Sequence, residues 1–312
     1  MHRARQTPAV AALGGAVAIG AMTASQARIN GVLGIRLGDG VVAGLVSFAV
    51  GTLLLVVVVV ALPSGRNGMG RLWRGIRSRS VPPWMLLGGA CGALTVSAQG
   101  LTAGLVGVSL FTVGVVAGQT LHGLVLDRIG FGPAGVVAVT MGRVAGGALA
   151  LVAVGISLSG DVLAGVPPWM LMLPFVTGVG IAWQQAANGR LAQRVSSPMT
   201  ATMTSFVVGT VVLAAAAGAS VLWNGMPQSL PGEWWLYLGG VLGVVYIFLA
   251  AFLVARIGVL LLGLGSVLGQ LVTAVVIDAI WPAEAGPDPW QIIAMVAVAV
   301  ASVLVALLRP RR

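Results

Sequence analysis

Polar side chains interrupt the long apolar stretches of this sequence at only a few positions, and several of these positions are paired. Gln119 and Gln270 each follow directly after a Gly-x-x-x-Gly motif, and Asp127 and Asp278 each lie eight residues after the glutamine. An amide in apolar surroundings needs a hydrogen-bonding partner or a water-filled cavity. Such amides therefore indicate either a site for a solute or hydrogen bonds between helices.

The two glutamines are the first candidates for solute binding. Each lies about 12 residues into an apolar run, which at 1.5 Å per residue is about 18 Å deep, near the middle of a bilayer. His122 follows three residues after Gln119 and lies on the same helical face. It is either a proton-binding group or a neutral histidine hydrogen-bonded to a neighbour. Its counterpart is Thr273, so the pairing does not extend to it.

A second set of polar residues forms stripes at i, i+4 near the ends of two apolar runs. These stripes indicate either the mouth of a cavity or hydrogen bonds between helices, and they consist of Gln26 and Asn30 in one run and Gln184 and Asn188 in the other. For Asp127 and Asp278 the ordinary expectation is a solvated acid at a helix end. Their duplication leaves a gate or a proton-binding pair as the alternative.

The glycines before the two glutamines predict close helix packing. Small residues four apart let two helices approach each other, and here they are Gly114 and Gly118, with Gly265 and Gly269. From these pairs we expect the two glutamine-bearing helices to meet. Phosphate-binding and metal-ligand motifs are missing from the sequence, and Cys91 is its one cysteine. We therefore expect no enzymatic activity and no cofactor or metal.

Composition sets the class of protein. The chain is 58% hydrophobic and 8% charged, with a mean hydropathy of +1.03, whereas soluble domains carry about 25% charged residues. All 17 basic residues are arginines that lie between or beside apolar runs. They are therefore interpreted as topology signals and contacts to anionic lipids, and not as a nucleic-acid surface.

Runs of about 20 apolar residues are long enough to span a membrane as helices. The sequence predicts ten such spans with short connections, so we expect nothing else to fold outside the membrane. The longest and most basic connection lies between spans two and three. The predicted limits are 9–30, 40–62, 83–104, 107–128, 133–158, 168–190, 199–222, 233–254, 257–280 and 289–308.

An internal repeat organises these spans. SFAVGT at 47–52 returns as SFVVGT at 205–210, and the same offset of 158 relates Gln26 to Gln184 and Asn30 to Asn188. After span two the offset becomes 151, and it relates LGGACG (87–92) to LGGVLG (238–243) and Gln119 to Gln270. The sequence therefore predicts two five-helix repeats, 1–160 and 161–312. Because five is odd, the two repeats must be inverted relative to each other.

Arginine positions predict the orientation. With both termini in the cytoplasm, fourteen arginines lie inside, only Arg28 and Arg36 lie outside, and Arg143 falls within span five. The acids Asp39, Asp161, Glu233, Glu284 and Asp288 then lie outside. Arg3 and Arg5 before an apolar stretch have the shape of a signal peptide. We expect this segment to be retained, because it is the counterpart of span six.

The motifs Gln-x-x-x-Asn, Ser-Phe-x-Val-Gly-Thr and Gly-x-x-x-Gly-Gln followed by Asp resemble the YdcZ-like branch of the drug/metabolite transporter superfamily. The resemblance covers almost the whole chain and is most specific in VAGQTLHGLVLDRIG (116–130). It implies a fused, all-α integral membrane protein of the bacterial inner membrane that transports a small-molecule solute between two inverted repeats. A non-transporting scaffold or partner subunit is the alternative, and neither the solute nor the oligomeric state follows from the sequence.

Overall fold

The computed structural model describes residues 3–133, 135–136, 140–157, 167–227, 229–282 and 289–307, which form helices joined by turns. Short 3₁₀ turns, Pro83–Met85 and Trp234–Tyr237, precede the helices that begin at Gly88 and Leu238. A π-helical turn, Gln99–Ala103, follows the first of these helices and continues into Gly104–Val106. The helices are α1 (Arg3–Leu37), α2 (Gly40–Ala61), α3 (Pro63–Arg77), α4 (Gly88–Ala98), α5 (Val108–Arg128), α6 (Met141–Ser157), α7 (Pro168–Arg194), α8 (Pro198–Asn224), α9 (Leu238–Ile280) and α10 (Pro289–Leu307).

The described helices have the length and composition of a membrane protein. Within the described residues, five helical stretches are long and apolar enough to cross a membrane: Gly40–Ala61, Pro83–Val106, Val108–Arg128, Pro198–Asn224 and Trp234–Leu253. A further apolar stretch, Gly265–Ile280, is shorter. The protein is therefore an all-helical membrane protein, as the composition indicates.

The boundaries differ from the prediction in several places, and spans eight and nine form one continuous helix. The helix α1 extends beyond span one at both ends, and α6 begins at Met141, whereas span five was predicted to begin at residue 133. Several residues of the predicted charge pattern lie outside the described residues, namely Asp161, Glu284, Asp288, Arg309, Arg311 and Arg312.

The connection between spans two and three folds into a helix, so the expectation that nothing folds outside the spans is wrong. Pro63 occupies the first turn of α3, where a missing backbone N–H costs nothing, and Arg74 and Arg77 lie in the last turn, where the helix dipole favours cations. Among the described helices, α3 separates its apolar and polar residues most strongly. Its Leu72 is buried in a cluster that includes Leu191 of α7.

The helix α9 is helical throughout its 43 residues, yet it cannot be straight. A straight helix of that length would be about 65 Å long. Both of its ends nevertheless contact the same part of α1, because Gln26 Nε2 donates to Gly239 O (2.7 Å) and the guanidinium of Arg28 lies 4.5 Å from the centre of the Trp281 ring. The chain therefore turns back between two limbs, which we call the first limb (238–253) and the second limb (262–280).

The two copies of the Ser-Phe-x-Val-Gly-Thr motif contact each other directly. Phe48 of α2 stacks on Phe206 of α8 with ring centroids 4.7 Å apart, and the hydroxyls of Thr52 and Thr210 are 2.7 Å apart. Each of these residues meets the position 158 residues away in the sequence. An approximate twofold axis therefore passes between α2 and α8, which explains why the motif occurs twice.

The contacts of α2 and α8 run in opposite directions along the two helices. A Cβ on Gly44 would lie 3.2 Å from Leu213, and a Cβ on Gly51 would overlap the ring of Phe206. Positions later in α2 thus contact positions earlier in α8, so the two helices pack antiparallel. An approximate twofold axis that relates antiparallel helices is perpendicular to them.

Glycines let helices of different repeats touch along their backbones. A Cβ on Gly118 of α5 would overlap Phe175 O of α7, and a Cβ on Gly269 of α9 would overlap Val17 O of α1. Gly114 of α5 also packs against α7, next to Gly118, and Gly265 is buried. The expectation that spans four and nine meet is confirmed, since side chains of α5 and of the second limb of α9 share one buried cluster. These glycines do not form that contact, because they pack α5 on α7 and the second limb of α9 on α1.

Candidate solute-binding cavity

A cavity lies between α1, α7 and both limbs of α9. The centre of a water-sized sphere can move through about 40 Å³ of it. Apolar side chains such as Ile19, Ile181 and Leu262 form part of its wall. The polar part of the wall consists of Thr23, Gln184, Gln185, Asn188, Tyr246, Ser266 and Gln270. Residues of both repeats thus line the same space.

Gln184 and Asn188 are placed by α7, where they lie one helical turn apart. Both side chains donate to Ser205 Oγ of α8, from Gln184 Nε2 at 3.2 Å and from Asn188 Nδ2 at 3.3 Å. Both also lie against α4 of the other repeat, where a Cβ on Gly92 would be 2.6 Å from Gln184 Nε2 and a Cβ on Gly88 would overlap Asn188 Oδ1. These two residues therefore line the cavity and also join the repeats.

Gln270 lines the cavity from the second limb of α9, and its Nε2 donates to Ser266 Oγ at 3.2 Å. Gln119, its counterpart, is buried outside the wall. Its Nε2 is 3.4 Å from Gln185 Oε1, and its Oε1 has no hydrogen-bond partner among the described residues. Of the two glutamines, the structure thus places Gln270 at the wall of this cavity, and a role of either residue in solute binding stays a prediction.

Gln26 and Asn30 are away from this cavity and occupy contacts between helices. Gln26 Nε2 donates to Gly239 O, and Gln26 Oε1 accepts from the Tyr246 hydroxyl at 3.2 Å. Asn30 Nδ2 donates to Gln99 Oε1 at 2.7 Å. Gln99 is fully buried, and sequence reasoning missed it because the residue 151 positions later is Ala250 and so no repeat marks it.

Asp278 is not a solvated acid, which corrects the ordinary expectation for this residue. It is 5% exposed, and its carboxylate accepts from the backbone N–H groups of Val108 (3.0 Å) and Ser109 (2.6 Å). It therefore caps the N-terminus of α5, a helix of the other repeat. The guanidinium of the buried Arg28 lies over the ring of Trp281, and Asp278 attracts it electrostatically from beyond the distance of an ion pair.

The remaining candidates are placed as follows. Asp127 is 6% exposed, so it is as buried as Asp278 and is not solvated either. His122 is half-buried on α5, one turn beyond Gln119, and does not line the cavity. A proton-binding role for these residues stays a prediction, and the geometry places neither of them at the cavity wall.

The cavity wall can bind a solute by hydrogen bonds and by apolar contact. None of its described residues carries a charge. The described residues also contain no group of three side chains that could hold a metal ion. The site therefore provides amide and hydroxyl groups, which donate and accept hydrogen bonds, beside an apolar wall.

Apolar helices in a repeated arrangement, with a polar cavity between the repeats, define an integral membrane protein of the transporter class. The sequence matches the family described as "Putative inner membrane exporter, YdcZ" over residues 11–157 and again over residues 169–305. The chain belongs to this family, which confirms the resemblance noted in its motifs, and it is a multi-pass protein of the inner membrane. No curated protein matches the chain.

Proposed function

We propose that this protein is a secondary transporter that moves a small, uncharged organic solute across the bacterial inner membrane. The cavity carries this proposal, because it lies between the two repeats and is lined by amides from helices that are apolar elsewhere. A purely structural scaffold has no need of a space beside these polar groups. The description of the family favours export as the direction of transport.

The charge of the solute follows from the cavity wall. A charged group that leaves water for an uncharged, partly apolar site loses solvation and gains no opposite charge in return. An uncharged solute with hydrogen-bonding groups on an apolar body avoids this penalty. Gln270 holds its Nε2 against Ser266, and no described residue donates to its Oε1, so this oxygen faces the solute as an acceptor.

The mechanism that we propose is alternating access between two inverted five-helix repeats, 1–160 and 161–312. The antiparallel contact of α2 and α8 supports the inverted arrangement, and the paired contacts Phe48–Phe206 and Thr52–Thr210 support a common axis. Transporters of this kind rock one repeat against the other around a central site. Solute movement then needs no enzymatic step.

The orientation is tested by reporter fusions. With ten spans and both termini in the cytoplasm, fusions after Arg312 and within residues 66–79 should report an inside location, and a fusion within residues 283–288 should report an outside location. An outside C-terminus would contradict the inverted arrangement, although it would leave the cavity itself unaffected.

Transport itself is tested by access to the cavity from both sides of the membrane. We replace Cys91 by Ser and introduce Ala250→Cys at the cavity wall, then apply a membrane-impermeant thiol reagent to vesicles of either orientation. Alternating access predicts labelling from both sides. Leu53→Cys is the matched control, because Leu53 is 68% exposed on an apolar face of α2 and should be labelled from neither side.

The same thiol tests the solute class. Neutral, anionic and cationic methanethiosulfonates of similar size are compared, each relative to its rate with a free thiol. The uncharged wall predicts the fastest relative reaction for the neutral reagent. Labelling from one side only would favour the scaffold, and equal relative rates for all three reagents would refute an uncharged solute.

A further inference from the structure

The helix α3 has two sides with different surroundings. Gly65, Gly68 and Leu72 are buried, and a Cβ on Gly68 would overlap Thr200 Oγ1 of α8. This side of α3 therefore packs on the second repeat, although α3 belongs to the first. To one side of these residues Trp73 is 66% exposed, and Ile76, one turn after Leu72, is also exposed.

The arginine Arg71 fastens α3 to the second repeat. Its Nε donates to Val195 O at 2.7 Å, and its Nη2 donates to Ser196 O at 3.3 Å. Both carbonyls lie in the turn between α7 and α8, where Ser196 has a positive φ of 49°. The guanidinium of Arg71 is thus used inside the protein. The other arginines of α3 are exposed, although Arg66 Nη1 donates to Val60 O and Arg74 Nε donates to Gly70 O.

The exposed arginines of α3 have no carboxylate nearby in the sequence. Arg66, Arg74 and Arg77 are exposed, and the sequence contains no acidic residue between Asp39 and Asp127. Among the described residues none of the three forms an ion pair. Arg66, Trp73 and Arg77 are spaced at i, i+7 and i+11, which places two cations beside the exposed tryptophan on one face of the helix.

The position of α3 determines which partner this face meets. The helix begins two residues after α2 ends, and α2 exposes Leu53, Val57 and Val60 along an apolar strip that leads towards it. Such a strip on a membrane span faces lipid tails, so α3 begins at the level of the head groups. Tryptophan and arginine are the residues that favour this level, with the ring in the interface and the guanidinium at phosphate.

We propose that α3 is an interfacial helix that binds the phosphate of an anionic phospholipid through Arg66 and Arg77 while Trp73 enters the membrane interface. The exposed apolar side chains beside the cations favour a lipid over an acidic protein. Because the other side of α3 packs on the second repeat, the bound lipid strengthens the contact between the repeats at this end of the molecule. This proposal stands independently of the transported solute.

The test uses the full chain in nanodiscs made of phosphatidylcholine alone or of phosphatidylcholine with phosphatidylglycerol. We expect the anionic lipid to raise the thermal unfolding midpoint of the unaltered protein. The double variant Arg66→Gln/Arg77→Gln should lose at least half of this increase and should unfold normally in phosphatidylcholine alone. The matched control Arg309→Gln/Arg311→Gln removes the same charge from another segment and should keep the increase.

Three results would overturn the proposal. An equal loss in both double variants would show a general effect of net charge. The same increase with inorganic phosphate in phosphatidylcholine nanodiscs would show a site for a free anion. Unchanged tryptophan quenching by chain-brominated phosphatidylcholine after Trp73→Phe would show that this ring does not enter the membrane.

Discussion

The region beside Gln270 and the corresponding region beside Gln119 are copies of one another, and among the described residues the cavity lies beside Gln270. Gln270 lines open space together with Gln184 and Asn188. At the corresponding place Gln119 is buried, and Gln26 and Asn30 are occupied by bonds between helices. The polar residues of both copies therefore join helices, and those of one copy also line the cavity.

The wall residues differ in size between the two copies, and they differ in both directions. Ala250, Leu262 and Ser266 line the cavity, and the residues 151 positions earlier are Gln99, Phe111 and Val115, which are buried. Tyr246 and Ala251 of the wall are in turn larger than their counterparts Thr95 and Gly100. Protein interiors are packed to the density of organic crystals, so we expect side-chain volume at these positions to determine where space remains.

The largest effect is expected at Asp278, where the copies differ in charge. The counterpart of Arg28 is Ala186, so only Asp278 has this arginine beside it. Asp278→Ala leaves the buried N–H groups of Val108 and Ser109 without their acceptor and removes the charge that attracts Arg28, which should cost about 3 kcal/mol of unfolding free energy. Thermal unfolding of the purified protein measures this loss.

The control for Asp278 is the double variant Arg28→Met/Asp278→Ala. It should be more stable than the sum of the two single changes predicts, because no unpaired charge remains. Strict additivity would show that Arg28 and Asp278 do not interact, and the asymmetry between the two ends of the protein would then lose its electrostatic basis.

The second-largest loss of stability is expected at glycine contacts that the two copies share. A Cβ on Gly89 would overlap Ser205 O, and a Cβ on Gly240 would overlap Ser47 O, so Gly89→Ala and Gly240→Ala should each cost about 1–3 kcal/mol by overpacking. Gly218→Ala, which meets no atom within 4 Å, should be neutral or stabilising. A large loss for only one of the first two variants would contradict the symmetry of this contact.

The third prediction concerns Gln99 and Ala250, which occupy corresponding positions in the two copies. Gln99→Ala leaves the buried Asn30 amide without its acceptor and should cost at least about 1 kcal/mol of stability.

Ala250→Gln should fill the cavity and abolish access of thiol reagents to a cysteine introduced at Ala251, with little loss of stability. Ala250→Ser is the control of smaller volume and should preserve access. If Ala250→Gln leaves access unchanged, the space beside Ala250 does not form the site.

The smallest effects are expected for Gln270 and Gln119, whose replacement should change different properties of the protein. Gln270→Ala should weaken solute binding by about 0.5–1.5 kcal/mol, the contribution of one neutral hydrogen bond, and should hardly change stability. Gln119→Ala should change stability slightly and leave solute affinity intact, since its amide bonds to Gln185. Titration of each variant with a solute found by thermal-shift screening gives both quantities. Equal losses of affinity would restore the symmetric pair that the sequence alone suggests.

The sequence by itself determined the membrane class, the duplication and the polar positions. Composition and apolar runs reflect the solvent of each segment, so they identify membrane helices without any knowledge of their neighbours. The offsets of 158 and 151 likewise relate residues along the chain alone, and they identified Gln184, Asn188 and Gln270, which line the cavity.

Only the tertiary structure decided which helices meet and where the cavity lies. The glycines beside Gln119 predicted close packing but not their partner α7, because a small residue specifies a close approach and not the identity of the neighbour. The helix α3 was missed because it packs on residues more than 100 positions away, and its own composition is that of a polar connection. The cavity likewise depends on how side chains from α1, α7 and both limbs of α9 fill a shared volume, which no single segment of the sequence specifies.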